Sequence, residues 1–328
     1  MEEQIRKRHA QSDRIRVVRA FCLHLSGQNQ DRQQRKHEGA QTMIYSILGK
    51  TGRKVSRIGF GGATAGLKNY TGAFDPQKQA DREGVVAAIR RAYELGINYF
   101  DTAAGYGDGA SEEIFGESLA GIPEEEIFLA TKAFPTDPKK VRASLERSLK
   151  NLRRDRIDLI QLHGSYLGPE VGREIFREGG ILQELKKLRD EGLVRYLGFS
   201  IECQNEVLHE LIACGEFDVM QIEYNFLFQH PYDPYFHCGS LYDAEAQKLG
   251  IVNMRTATSG IFQKWIRLVN PENTFDYNAA LIQFVLSNPL VDVSLLGMRD
   301  AEIVEKNVAT CNDLSGRIDI AALHERYS

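Results

Sequence analysis

A chain of 328 residues, 42% apolar and 26% charged, is long enough to bury a full hydrophobic core without disulfide or metal staples. Its formal net charge of −4 argues against a general nucleic-acid binder, and no apolar run approaches the roughly 18 residues that span a bilayer. The five cysteines (Cys22, Cys203, Cys214, Cys238, Cys311) are odd in number, scattered and without a CxxC pair, which suits reduced thiols in a cytoplasmic protein better than a disulfide scaffold.

Residues 1–42 differ from the rest. They hold nine Lys/Arg against five Asp/Glu, a net of +4, which leaves −8 for residues 43–328. Polar stretches such as Gln28–Gln34 predict a poorly ordered extension. The run Val17–Leu25 is short for a signal peptide and is broken by Arg19 and His24, although the arginine content leaves a transit-peptide reading open. The simplest reading is a dispensable tail or a misassigned start, with the folded domain over residues 43–328.

From Met43 the texture becomes regular. Ile44–Leu48 and Lys54–Ser56, separated by Gly49 and Thr51-Gly52, predict a small hairpin. Eight strand-like runs follow: Ile58–Phe60, Asn98–Asp101, Ile127–Thr131, Ile157–Leu162, Val194–Phe199, Val219–Ile222, Ile251–Met254 and Val293–Leu296. Helical periods lie between them over Asp81–Leu95, Ser111–Leu119, Lys139–Leu152, Ile181–Glu191, Gln204–Ala213 and Leu241–Leu249. Gly96, Gly192, Gly215 and Gly250 follow helices where a left-handed cap is expected. Alternating strands and helices predict a parallel sheet, and eight units close a barrel. The expected fold is therefore α/β, a (β/α)₈ TIM barrel with an N-terminal β-hairpin. A doubly wound open sheet is the alternative, but Gly59–Gly62 lacks the GxGxxG spacing and opens no immediate helix.

In such a barrel the C-terminal ends of the strands face the active site. Strand ends two, three and four here carry Asp101, Lys132 and His163, with Tyr106 one short loop beyond Asp101. Singly, these are a turn cap, a solvated cation and a structural imidazole. On three consecutive strand ends they form a proton-handling set. A phenol with a pKa near 10 is a poor proton donor at neutral pH, and an adjacent ammonium is expected to lower it. Lys132 supplies that charge, Asp101 keeps the lysine protonated and aimed, and His163 polarises a substrate oxygen while Tyr106 protonates it. No side chain delivers a hydride, so a nicotinamide must.

The stretch Asp101-Thr-Ala-Ala-Gly-Tyr106-Gly, continuing to Ser111-Glu112 and Gly116, resembles the signature of the aldo-keto reductase family. The segments ending in Lys132 and His163 resemble the rest of that family's catalytic tetrad. Gly192–Ser200, Gln221-Ile-Glu-Tyr224-Asn225 and Gly297-Met-Arg299 leading to Asn307 extend the likeness over residues 43–310. The resemblance implies a barrel with NADPH, or else NADH, lying extended across its mouth. It implies that Ser200 and Gln221 hold the nicotinamide carboxamide, although the usual asparagine after the serine is Ile201. The usual stacking aromatic is Met254, and the usual Pro-Leu reads Thr256-Ala257. Ser259 and Gly260 are expected to meet the pyrophosphate through backbone N–H groups. Gly297, Arg299, Lys306 and Asn307 fall in the adenosine-binding segment, with Arg299 placed to pair with a 2′-phosphate and Ile303 where another arginine is common.

The function so implied is reduction of an aldehyde or ketone, or oxidation of the corresponding alcohol or sugar. Two rivals share these residues: a nicotinamide-sensing binding subunit with little turnover, and a Schiff-base aldolase using Lys132. Pocket walls are expected from the loops Leu67–Phe74, Gly164–Glu178 and Phe226–Gly239, the last carrying Phe226, Phe228, Tyr232, Tyr235 and Phe236. His230 and His237 lack a third ligand at suitable spacing, so no metal is expected. The partner is a small-molecule carbonyl or sugar, with no nucleic acid and no membrane.

Overall fold

The computed structural model describes residues 43–325; the extension expected over residues 1–42 lies outside the described residues. The expected hairpin is present as β1 (Tyr45–Ile47) and β2 (Lys54–Ser56), paired antiparallel with Tyr45 opposite Ser56. The eight apolar runs form β3 (Ile58–Gly61), β4 (Tyr99–Asp101), β5 (Phe128–Ala133), β6 (Ile157–His163), β7 (Val194–Ile201), β8 (Val219–Glu223), β9 (Gly250–Met254) and β10 (Val293–Leu296). All are parallel in chain order, and β10 pairs with β3 to close the barrel, with Leu295 opposite Gly59.

Helices Gln79–Glu94, Ala110–Ser118, Pro138–Leu152, Ile181–Asp190, Glu206–Ala213, Ser240–Ala246 and Ala301–Asn312 flank the sheet. Pro138–Leu152 shows why such a segment is helical. Asp137 accepts from the amides of Lys139 and Lys140, Pro138 fits the first turn, and Val141, Leu145, Leu149 and Leu152 form the stripe turned to the sheet. A short helix, Ala63–Gly66, follows Gly62 directly, which corrects the reading that Gly59–Gly62 opens no immediate helix. Ile320–Glu325 near the C-terminus was not expected either, and three longer helices also depart from expectation. Pro169–Phe176 lies inside a segment read as loop, while Ile261–Val269 and Asn278–Leu286 occupy segments where no helix was expected. No helix among the described residues is long and apolar enough to cross a membrane.

Inside the barrel, Leu48, Val55, Tyr99, Phe128, Ala130, Leu159, Val219, Val252, Val293 and Leu295 form one apolar cluster. Leu48 comes from the hairpin, so the hairpin stoppers the N-terminal end. The fit is close. A Cβ at Gly49, where φ is +42°, would lie 2.2 Å from the Gly250 nitrogen, and one at Gly250 would meet Leu48 Cδ1 at 2.6 Å. Gly96, Gly192 and Gly215 take positive φ as expected of helix caps, but Gly250 does not. There the left-handed residue is Lys248, at φ +58°, and Gly250 is small because Leu48 needs the space.

Strand alternation then decides what lies above this plug. The period of two that sends Tyr99, Ala130, Leu159, Val219 and Val252 inward also sends Asp101, Lys132, Gln161, Gln221 and Met254 inward one step nearer the C-terminal end. The barrel is therefore apolar below and polar at its mouth.

Candidate active site

Lys132 and Asp101 are both buried at the top of the plug. The ammonium donates to Asp101 Oδ1 at 2.5 Å and to the Thr102 carbonyl at 2.8 Å. Burial pulls the Lys132 pKa down, but the Asp101 carboxylate and Tyr106 outweigh it, and the net direction is above the ordinary lysine value. The lysine therefore stays charged, which makes it a poor amine nucleophile.

Tyr106 follows the tight loop after β4 and is half-buried, its ring centroid 5.0 Å from Lys132 Nζ. The sequence led us to expect a lowered phenol pKa. The structure reverses the net sign: burial raises it more than the Lys132 charge lowers it, and Asp101 adds to the rise. The phenol thus keeps its proton at neutral pH, and the ammonium beside it stands ready to stabilise the phenolate once the proton leaves.

His163 closes β6 edge-on to Tyr106, with ring centroids 5.5 Å apart, and stacks on Phe134 at 5.0 Å. Burial, assisted by the Lys132 charge, lowers its pKa to about 3. The imidazole is neutral, with one ring nitrogen able to donate to a carbonyl oxygen.

Beside these, Ser200 on β7 and Gln221 on β8 lie opposite one another. Their Oγ and Nε2 atoms donate to the Met254 sulfur at 3.8 and 3.7 Å. A thioether is a weak acceptor, so two donors side by side suit a stronger one such as a carboxamide oxygen. Ile201, where a polar residue would assist, is fully buried.

The remaining expected residues are less simply disposed. Ser259 sits in a left-handed turn with Thr258 and Gly260, its Oγ 3.3 Å from the Tyr70 hydroxyl of the loop after β3. The Gly260 N–H expected to face phosphate instead donates to the Ala257 carbonyl at 3.1 Å. Arg299 is not a free cation either. Its Nε donates to the Thr64 carbonyl (3.0 Å), its Nη1 to Gly72 (3.3 Å), and its guanidinium lies 4.4 Å from the Phe74 ring. Nη2 makes no hydrogen bond in the protein and is buried. Lys306 is bound to Glu302 at 2.7 Å on the surface. A Cβ at Gly297 would meet Thr64 Cγ2 at 2.4 Å, so the glycine lets the end of β10 approach the short helix Ala63–Gly66. Asn307 is half-buried one helical step from Val304 and Val308, which pack into the core.

Of the aromatic loop residues, Phe226 and Tyr232 pack inward against Phe284 and Tyr224, while Phe228, Tyr235 and Phe236 are exposed. Two residues at the mouth escaped sequence reasoning. Phe134 lies two residues beyond Lys132, and Gln161 two before His163, so strand alternation alone would have placed both on the inward side.

Residues 57–323 match the Aldo/keto reductase family. An L-galactose dehydrogenase from Arabidopsis thaliana is 28% identical over 305 residues, covering 81% of this chain and 88% of the plant protein. An NADH-specific methylglyoxal reductase from Escherichia coli is 29% identical over 201 residues, covering 55% of this chain and 58% of that one. An aldo-keto reductase from Klebsiella pneumoniae, solved in complex with NADPH, superposes with a TM-score of 0.63 at 19% identity, covering 86% of this chain and 94% of that one.

Proposed function

The chain belongs to the aldo/keto reductase family of NAD(P)-dependent oxidoreductases acting on carbonyl groups, and from that premise we propose that it reduces an aldehyde or ketone with Tyr106 as the proton donor. The observation that carries the reading is Tyr106 set with its ring centroid 5.0 Å from the buried Lys132 ammonium and 5.5 Å from the edge-on His163 ring. Bound nicotinamide supplies a hydride to the carbonyl carbon. His163 holds and polarises the carbonyl oxygen through a ring N–H, and Tyr106 gives that oxygen its proton. Lys132, kept charged by Asp101, stabilises the phenolate left behind. Ser200 and Gln221 would hold the carboxamide of a bound nicotinamide, and Met254 would pack on its ring. Run backward, the same groups oxidise an alcohol or sugar.

An L-galactose dehydrogenase and a methylglyoxal reductase among the relatives bracket the substrate as a small oxygenated carbonyl compound. NADPH is the first choice of cofactor, with NADH open, since the relatives' names include both. The free thiols Cys203, Cys214, Cys238 and Cys311 suit a cytoplasmic setting. The lysine's retained proton weighs against a Schiff-base aldolase; a purely sensing subunit would share these residues, and turnover across the carbonyl panel separates it.

Absorbance at the nicotinamide band, with NADPH and NADH separately, across aldehydes, ketones and sugars tests the activity. Tyr106→Phe should lower turnover by at least about 100-fold while nucleotide affinity stays within a few-fold. Retention of more than about a tenth of the rate would remove Tyr106 from the role.

A further inference from the structure

Gln161 has no part in the chemistry above, yet it sits wholly buried at its centre. Its Nε2 donates to Asp101 Oδ2 at 3.1 Å and to Gln221 Oε1 at 3.2 Å. Asp101 is on β4 and Gln221 on β8, so one amide on β6 reaches across the barrel interior in both directions, past β5 and past β7.

The reach over β7 depends on Gly198, which pairs with both Gln161 and Val219. A Cβ at Gly198 would lie 3.3 Å from Gln161 Cγ, 3.1 Å from Leu159 Cδ1 and 2.8 Å from the Val219 carbonyl oxygen. A side chain there would obstruct the bridge. One layer lower on the same strand, the same inward position is Leu159, part of the apolar plug.

The amide is also costly where it is. Its Oε1 is buried without a hydrogen-bond partner, a situation worth roughly 1–3 kcal/mol of destabilisation. Another leucine would avoid that cost, so packing alone does not account for a glutamine.

We propose that Gln161 is a positioning residue that couples the two halves of the site, holding the Asp101–Lys132 pair on one side and the amide of Gln221 on the other. It rests on the reading of the site given above. Toward Asp101, the N–H supports the ionised carboxylate against burial, and the carboxylate in turn keeps Lys132 charged. Toward Gln221, the N–H engages the carbonyl oxygen and leaves the Gln221 NH₂ toward Met254 and the mouth. The titratable groups facing Asp101 are Lys132 from β5, Tyr106 from the loop after β4 and Tyr99 from its own strand, with His163 from β6 beyond Lys132. Removing the amide leaves these charges in place and changes how firmly Asp101 holds its own.

The test is Gln161→Leu, with Gln161→Met as a second variant of near-equal length, in the full chain. NADPH titrated by fluorescence reports the Gln221 side, and it should bind about 3- to 10-fold more weakly to both variants. With methylglyoxal or another carbonyl that the panel finds reducible, kcat should fall about 10- to 100-fold. The acid limb of its pH profile should move up by about one unit, as Asp101 protonates more readily. A structural role would leave both the nucleotide affinity and the position of that limb unchanged, and that result would overturn the proposal. Failure of both variants to fold would overturn it too, because the proposal gives Gln161 no part in holding the barrel together. Tyr106→Phe measured in parallel separates the two readings. If it is inactive while Gln161→Leu matches wild type, only the coupling fails; if Tyr106→Phe is active, the assignment of the site fails.

Discussion

Lys132 is a charge placed where charges are expensive, and the Asp101 carboxylate is what makes the placement tolerable. Removing one partner leaves the other buried and uncompensated. Lys132→Met should therefore cost about 3–5 kcal/mol of stability, and the double variant Lys132→Met/Asp101→Leu should be more stable than the single one. Denaturant unfolding of the three proteins measures this; a double variant less stable than Lys132→Met would mean that Asp101 left without the lysine carries no burial cost. Arg299 makes a similar point about partners. From sequence it is a cation awaiting a phosphate, but Nε and Nη1 hold the Thr64 and Gly72 carbonyls. Those partners lie more than 220 residues away in the chain and are backbone atoms, which no sequence pattern reveals. Nη2, which makes no hydrogen bond in the protein, could give one charge-assisted bond to a 2′-phosphate, so the preference for NADPH over NADH should be about tenfold, the value of one such bond. Arg299→Ala should weaken both nucleotides through the loosened Thr64–Phe74 segment and abolish the preference. Equal affinity of the wild-type protein for the two would leave Arg299 as a fastener of that loop alone.

Among the elements, the strands were legible because each is a short apolar run set off by glycines or polar turns, and all eight expected strands are present. Of the helices outside expectation, Ala63–Gly66 and Ile320–Glu325 are too short to show a period, and the three longer ones each defeat periodicity for a different reason. Asn278–Leu286 is buried nearly all round, so it shows no polar face. Ile261–Val269 has an apolar face, but Trp265, Leu268 and Val269 are exposed, so its pattern does not report core packing. Pro169–Phe176 is eight residues with Gly172 at its centre, and there a Cβ would crowd Val207 Cγ2 at 2.9 Å. The four residues read as a proton-handling set lie together at the mouth because Asp101, Lys132 and His163 stand toward strand ends and Tyr106 one short loop beyond. The sign of the Tyr106 shift was not legible, because burial is a property of the assembled loop. The hairpin carries its own prediction. Gly49→Ala puts a methyl against the Gly250 backbone at a positive φ, where neither side can yield cheaply. A loss of about 3 kcal/mol or more is expected by denaturant unfolding. A loss below about 1 kcal/mol would mean that the hairpin shifts freely on the barrel floor.

At the scale of the whole molecule, the site shapes the dependence of folding on pH. His163 is depressed to about 3, whereas in the unfolded chain it titrates near 6.5. Below about 6.5 the unfolded chain takes up a proton that the folded site refuses, so stability falls as pH drops from about 6.5 toward 3; above about 7 this contribution is fully retained. His163→Gln removes the group, and the loss of stability between pH 7 and pH 5 should shrink relative to wild type. An unchanged loss would place the acid sensitivity elsewhere.

The hairpin stopper has a consequence for how the molecule keeps time. With Leu48 and the apolar layer filling the floor, the buried Lys132 sits above a dry plug and faces the polar mouth among the described residues. On the proposed function, a ligand filling that mouth during a turnover also blocks the return path for the proton that Tyr106 would give away. The donor is therefore recharged between turnovers, once the mouth has emptied, and each event draws on a single stored proton. Reaction and replenishment alternate because the fold gives them the same door.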